Sequence, residues 1–260
     1  MNIRRVPQPV SVESSAPSRI DTDSAKIDNS IAADLAEVED LPDGYKHTKV
    51  GVMPEDWEIA SVEELFTFER TASNSRSELD DSGSVAYVHY GDLHTRFNHF
   101  IDVSHAQLPH LSESENVTAT LLRNGDLVVA DASEDEIGVG KSAEIRNVGS
   151  KKAISGLHTF LLRPKDRRIC HGYGGYLLEN EAVKQQIRRL ATGLKVFGIS
   201  KGSFAQVLIP LPPFSQQRAI AQALLDVDSE ITALEQRCEK TRAIKRGMMQ
   251  QLLTGQVLLA

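Results

Sequence analysis

IPLPPFSQQRAIAQALLDVDSEITALEQRCEKTRAIKRGMMQQLLTG, residues 209–255, decides the architecture of this chain. Pro210, Pro212 and Pro213 hold the lead-in extended, because each ring fixes φ and pushes the preceding residue out of the helical region. A helix is therefore expected from about Ser215. Beyond it a seam runs through Ile220, Leu224, Val227, Ile231, Leu234, Cys238, Thr241, Lys245, Met248 and Leu252 in alternating steps of four and three. Eight of these ten positions are apolar, which is the heptad signature. Gly255 suits a helix end that needs a left-handed residue. About 38 residues at 1.5 Å each predict a rod of roughly 57 Å. That is far longer than an ordinary core helix, and the other faces are Glu, Arg, Lys and Gln. A coiled coil against a second chain is expected, with Thr241 and Lys245 as polar seam positions that set register and partner choice.

The rest of the chain bounds what that rod could serve. The formal charge is −7, which argues against a nucleic-acid partner until its distribution is read. Residues 46–140 hold six basic and eighteen acidic side chains, whereas residues 141–203 hold thirteen basic and four acidic. A basic third of that strength can attract phosphate even on an acidic protein. Cys170 and Cys238 are the sole cysteines, too few for a disulfide framework or a four-cysteine zinc site. Neither an apolar run of membrane-spanning length nor a signal peptide is recognisable, so a cytoplasmic, non-membrane location is expected.

Residues 1–44 are rich in Ser, Asp, Pro and Ala and read as a disordered or loosely helical extension. A globular part is expected over 45–208. It opens with the Pro54–Trp57 stretch and a short helix near Ser61–Leu65. Short apolar runs then recur at Ser84–Tyr90, Leu127–Ala130, Ala143–Val148 and Leu157–Leu162, with a turn at Asn124-Gly125-Asp126. A single helix is predicted over Tyr173–Leu190, because Leu177, Leu178, Val183, Ile187 and Leu190 fall near one face. The fold class is a mixed α/β domain followed by a long C-terminal coiled-coil helix over 209–260.

Several motifs together resemble one family. PLPPFSQQRAIA (210–221) and QQLLTG (250–255) are similar to the start and end of the spacer helices in specificity subunits of type I restriction-modification systems. YKHTKVGVMPEDWEIASVEEL (45–65) resembles the lead-in to a target recognition domain of that family. GDL (91–93), RNGDLVVA (123–130) and ATGLKVFGISKGSFAQVLIPLPP (191–213) extend the likeness to about 215 residues. Two departures stand out. Gln216 occupies a position where the family usually has Glu, and the chain carries one recognition domain and one spacer helix where a full subunit carries two of each.

The resemblance implies a subunit that reads one half of a split double-stranded DNA target, with no catalysis of its own. It implies partnership with modification (methyltransferase) subunits, with a restriction (motor and nuclease) subunit, and with a homodimer mate or a second half-specificity chain. No cofactor is implied in this chain; S-adenosylmethionine, ATP and magnesium belong to the partner subunits. The unpartnered seam is what such a half should show. A second reading is an orphan half-specificity assembly protein that joins, and redirects or blocks, another complex. A third is a fragment of a fused restriction-modification enzyme.

DNA-contacting candidates follow from residue chemistry. Lys141, Lys151, Lys152, Lys195 and Lys201 lie in the basic third, mostly beside Gly or Ser, where an ammonium group can approach phosphate. RTASNSR (70–76) offers Arg70, Asn74 and Arg76 as donors for base edges, and YGDLHTR (90–96) offers His94 and Arg96. Asp92 in the same run reads equally well as a turn cap.

Enzyme readings fare worse. His89, His94, His99, His105 and His110 recur at five- or six-residue steps, a spacing that matches neither a helix face nor a strand face, so no metal site is expected. GVGKS (138–142) lacks the first glycine of a phosphate-binding loop, since Asp135 stands there. The chain holds no Asp/Glu-x-Lys nuclease triplet and no Asn-Pro-Pro-Tyr or Asp-Pro-Pro-Tyr methyltransferase motif.

Overall fold

The computed structural model describes residues 41–111 and 118–255. The extension expected over residues 1–44 lies almost wholly outside the described residues. The elements described below lie in the unit from Gly44 onward.

A five-stranded sheet forms the centre, in the order Phe66–Glu69, Thr159–Pro164, Leu127–Ala130, Ser142–Arg146, Phe100–Asp102. Its neighbours are antiparallel except for the last pair, which is parallel. Leu127–Ala130 reads LVVA, with no polar residue to mark an outer face. The reason is that both faces are covered. Leu127 and Val129 enter one core with Phe66, Leu162, Val183, Ile187 and Phe204. Val128 and Ala130 enter a second core with Ala143, Ile145, Val88 and Ala153. Each Val, Leu, Ile or Phe side chain among these that is fully removed from water contributes about 1.5–3 kcal/mol before conformational entropy is set against it.

The second core joins this sheet to another, ordered Lys152–Ser155, Val85–Val88, His110–Leu111, Leu79–Asp80. Alternation along Val85–Val88 sends Ala86 and Val88 inward and Val85 and Tyr87 outward, onto a small outer cluster with Leu111 and Ile154. The layers are therefore helices, central sheet, second sheet and an outer loop.

The strands expected at 84–90, 127–130 and 143–148 form at Val85–Val88, Leu127–Ala130 and Ser142–Arg146. The one expected from Leu157 starts at Thr159, because His158 takes φ 55° and Gly156 lies against the Tyr87 ring. The short helix near Ser61 is Val62–Leu65, capped by a reciprocal pair in which the Ser61 hydroxyl accepts from Glu64 N–H and the Glu64 carboxylate accepts from Ser61 N–H.

The single helix predicted over Tyr173–Leu190 is instead two elements, a 3-10 segment Gly174–Glu179 and an α-helix Glu181–Leu190, broken at Asn180. Asn180 has extended ψ 130° and its Oδ1 accepts the Ala182 N–H at 2.9 Å. A buried carboxylate sets the first segment: Glu144 accepts the N–H groups of Gly172 and Gly175. Leu177 and Leu178 both lie in the core, as the sequence expects, but on the 3-10 segment and not on one continuous helix with Val183 and Ile187.

Glu58–Ser61 pairs antiparallel with Leu208–Leu211, so the start and the exit of the domain lie side by side. The terminal helix then runs over Phe214–Leu253, 40 residues, with Pro213 at its N-cap and Gly255 at φ 71° beyond its end. Its first turns are held by buried Gln217 and Ala221, and Tyr176 Oη donates to Asp228 Oδ2 at 2.5 Å. From Ser229 to Gln251 every residue is exposed. Among the described residues no helix is long and apolar enough to cross a membrane.

Candidate nucleic-acid interface

The loop 70–76 lies over the outer face of the second sheet, and backbone bonds fix it there. Ala72 N–H donates to Ser155 O at 2.8 Å, and Thr120 N–H donates to Arg70 O at 2.9 Å. Tyr87 Oη donates to Asn74 O at 2.8 Å and accepts the Leu157 N–H at 2.9 Å. Gly156 makes this possible: a Cβ there would lie 1.9 Å from Tyr87 Cε1. The loop ends in a 3-10 turn, Arg76–Glu78, whose Glu78 carboxylate accepts the Ser75 N–H at 2.7 Å. The Ser75 side chain, then this backbone bond, hold the Glu78 carboxyl below its ordinary range.

Arg76 leaves this loop toward a cleft of about 770 Å³. Arg96, Lys151 and Lys152 line the same cleft, with Asp81 as the acidic residue and Val103, Leu108 and Pro109 as apolar lining. The structure thus brings together four of the ten candidate side chains. Two come from the acid-rich stretch 46–140 and two from the basic third. Their roles differ. Arg76 Nη1 donates to Asp92 Oδ2 at 2.7 Å, and Arg96 Nη1 to Asp92 Oδ1 at 3.2 Å. Arg96 also donates to Gln107 O. Lys151 Nζ donates to Val103 O and Ser104 O at 3.2 and 2.8 Å, so its ammonium ties two loops together. Lys152 opens the Lys152–Ser155 strand and is exposed.

The remaining candidates lie elsewhere. Arg70 is exposed at the start of the outer loop, and Asn74 sits within it, held through its carbonyl. His94 and Lys141 line a second cleft, of about 580 Å³, together with Glu134, Asp135 and Glu179. Both are engaged there: Lys141 Nζ donates to His94 O at 3.0 Å, and His94 Nε2 lies 3.0 Å from Ala132 O. Lys195 is exposed beside Leu194, which is 99% exposed. Lys201 Nζ lies 4.9 Å from the centre of the Phe68 ring, an arrangement that favours the cation and costs part of its freedom to reach outward.

The five recurring histidines are dispersed among separate local roles. His89 Nδ1 accepts the Gly91 N–H as a helix cap, and His99 stacks on Tyr176 with ring centres 4.5 Å apart. Burial lowers the pKa of each. His105 Nδ1 lies 3.1 Å from Asp102 Oδ2, while half-buried His110 pairs in the second sheet. Asp102 is held well below its ordinary pKa, chiefly by Ser104 and then by Asn147. Among the described residues no three His, Cys, Asp or Glu side chains converge as metal ligands.

The sequence leaves Asp92 open between a DNA-contact candidate beside His94 and Arg96 and a turn cap, and does not mark it as the residue that organises two arginines. Its side chain is 3% exposed and engages two guanidinium groups. The available signal was a carboxylate four residues before Arg96, with a second arginine sixteen residues upstream.

Residues 54–246 match the family whose description is "Type I restriction modification DNA specificity domain". The chain belongs to this family. Among similar curated proteins are the type I restriction enzyme MjaVIII specificity subunit of Methanocaldococcus jannaschii, 24% identical over 221 residues, and the EcoKI specificity subunit of Escherichia coli K12, 23% identical over 210. The matches cover 82% and 80% of this specificity chain but 49% and 44% of those proteins. This chain therefore spans about half the length of the curated relatives it matches. In fold it resembles the HsdS subunit from Thermoanaerobacter tengcongensis, with a TM-score of 0.51 at 17% identity, over 80% of this chain and 47% of that one. It also resembles a chain of a type I system solved in a study of complex assembly and conformational transition, at a TM-score of 0.56 and 19% identity, over 79% of this chain and 46% of that one.

Proposed function

We propose that this specificity chain reads one half of a bipartite double-stranded DNA target and is itself non-catalytic. The observation that carries this reading is the convergence, within a DNA specificity domain, of Arg76, Arg96, Lys151 and Lys152 at one cleft. Two guanidinium groups suit base edges, and the exposed ammonium of Lys152 suits phosphate. Lys195 and Lys201 form a second set of phosphate contacts, with Lys195 the cleaner test because Lys201 is also bound to Phe68. The terminal helix is the rod that docks methyltransferase subunits and sets half-site separation. Its seam, exposed from Leu224 to Met248 while Ile220 packs against the chain's own core, pairs with a second helix of the same kind in a coiled coil, on another copy or on a second specificity half. In such an assembly S-adenosylmethionine serves adenine methylation on the partner subunits, and ATP and magnesium serve restriction on a further one.

A gel-shift competition with the chain assembled on its methyltransferase subunits tests this. The reading expects a subset of duplexes to compete far better than the rest, and equal competition by all duplexes would end it. Lys195→Ala should weaken binding to all duplexes alike and lower the salt dependence by about one phosphate contact. An orphan assembly role predicts no effect of that substitution on complex activity.

A further inference from the structure

The cleft holds one arrangement with a consequence for specificity. Asp92, in the first turn of the helix Tyr90–Thr95, is buried, with its side chain 3% exposed. Its two oxygens are divided between two arginines from different elements. Oδ2 accepts from Arg76 at the end of the outer loop, and Oδ1 accepts from Arg96 at the C-cap of Asp92's own helix. The arginines stay open to solvent, Arg76 at 54% and Arg96 at 36% side-chain exposure. Arg96 is fixed a second time by Gln107 O. Arg76 uses one Nη on Asp92, and no other hydrogen bond or ion pair of its guanidinium is found among the described residues.

An arginine on a free stem can grip any phosphate, and much of that grip is spent in ordering the side chain. One held from behind by a buried carboxylate presents its remaining N–H groups in a single direction. Such a group suits a partner with two acceptors at fixed separation, which in the major groove is the O6/N7 edge of guanine. The shared carboxylate also cancels one of the two positive charges, reducing the attraction to phosphate at large.

We propose that Asp92 is a positioning residue that clamps Arg76 and Arg96, and that the clamped Arg76 reads a guanine edge in the half-site. This rests on the reading of the chain as a DNA-recognition subunit. Lys152, on the same cleft without such a clamp, is the sequence-independent contact.

The test is selection from a randomised duplex pool by the chain assembled with its methyltransferase subunits, followed by sequencing, for the wild type, Asp92→Asn and Arg76→Lys. A wild-type complex that enriches a motif upholds the recognition role, and one that enriches none removes it, whatever the variants do. Given a motif, Asp92→Asn should lose roughly ten- to a hundred-fold of the preference at one G·C position. It should keep preference at other positions, and it should bind unrelated duplex as well as or better than the wild type, with a steeper salt dependence. Arg76→Lys keeps the charge and loses the fork, so it should relax the same position even if Asp92→Asn proves too unstable to assemble. Unchanged preference at every position in Arg76→Lys would overturn the inference. So would an Asp92→Asn complex whose specific and unrelated affinities fall in parallel, since that is the mark of damaged folding alone.

Discussion

Gln216 and Gln217 show how much of this fold turns on single amides. Gln217 is 1% exposed and has every polar atom engaged: Oε1 accepts from Cys170 N–H at 2.8 Å, and Nε2 donates to Arg168 O and Pro212 O at 2.8 and 2.9 Å. Gln217→Ala leaves two buried backbone groups and one part-buried carbonyl without that partner and should cost about 3 kcal/mol in urea unfolding. Gln216 accepts from Trp57 Nε1 at 2.9 Å and donates to the Asp56 carboxylate. The departure from the family's usual Glu thus has a local reason, since a second carboxylate would face Asp56. Histidine protonation acts at the same scale. The folded pKa of His89 and of His99 is lowered by burial, so the unfolded chain binds those protons more readily. Their contribution is complete above the ordinary imidazole value of about 6.5 and is lost as pH falls below it. Thermal melts between pH 7.5 and 5.5 should show that decline, and His99→Phe, which keeps a ring on Tyr176, should lessen it. An undiminished decline in the variant would assign the effect elsewhere.

At the scale of elements, what the sequence disclosed depended on whether the controlling contact was local. LVVA at 127–130 is legible because continuous apolar character is what burial on both faces requires. The break at Asn180 is not legible, because Glu144, on a strand some thirty residues upstream, holds Gly172 and Gly175. The cleft escaped for a similar reason. A charge count along the chain favours the basic third, yet Arg76 and Arg96 come from the acid-rich stretch and are gathered by one buried carboxylate. Gly156 ties fold to site: Gly156→Ala should displace the Tyr87 ring and loosen the outer loop, with a loss of about 1–3 kcal/mol and faster amide exchange at Ala72. The terminal helix was the most legible element, its start misjudged by one residue. Its outer part exposes Ile231 at 47%, Leu234 at 52% and Met248 at 53%. Ile244, 55% exposed, stands next to Lys245 and offers an apolar alternative beside that polar seam position.

For the whole molecule, a helix docked at one end and exposed from Ser229 to Gln251 is what supports the proposed assembly. Leu234→Glu touches nothing in its own chain's core, so it should leave the thermal stability of the recognition domain unchanged. Sedimentation of the same variant, alone and with methyltransferase subunits, should show a smaller assembly than the wild type. An identical mass would mean that the seam is not where partners meet. On the proposed reading, recognition and spacing belong to different parts of the chain, the cleft to base reading and the rod to the distance between two reading sites. The most direct measurement of that division is the sequence enriched by the assembled wild-type complex from a fully randomised duplex pool. Two short defined blocks separated by an undefined spacer of constant length are the predicted result; a pool that emerges unbiased, or one contiguous block with no second half, would contradict it.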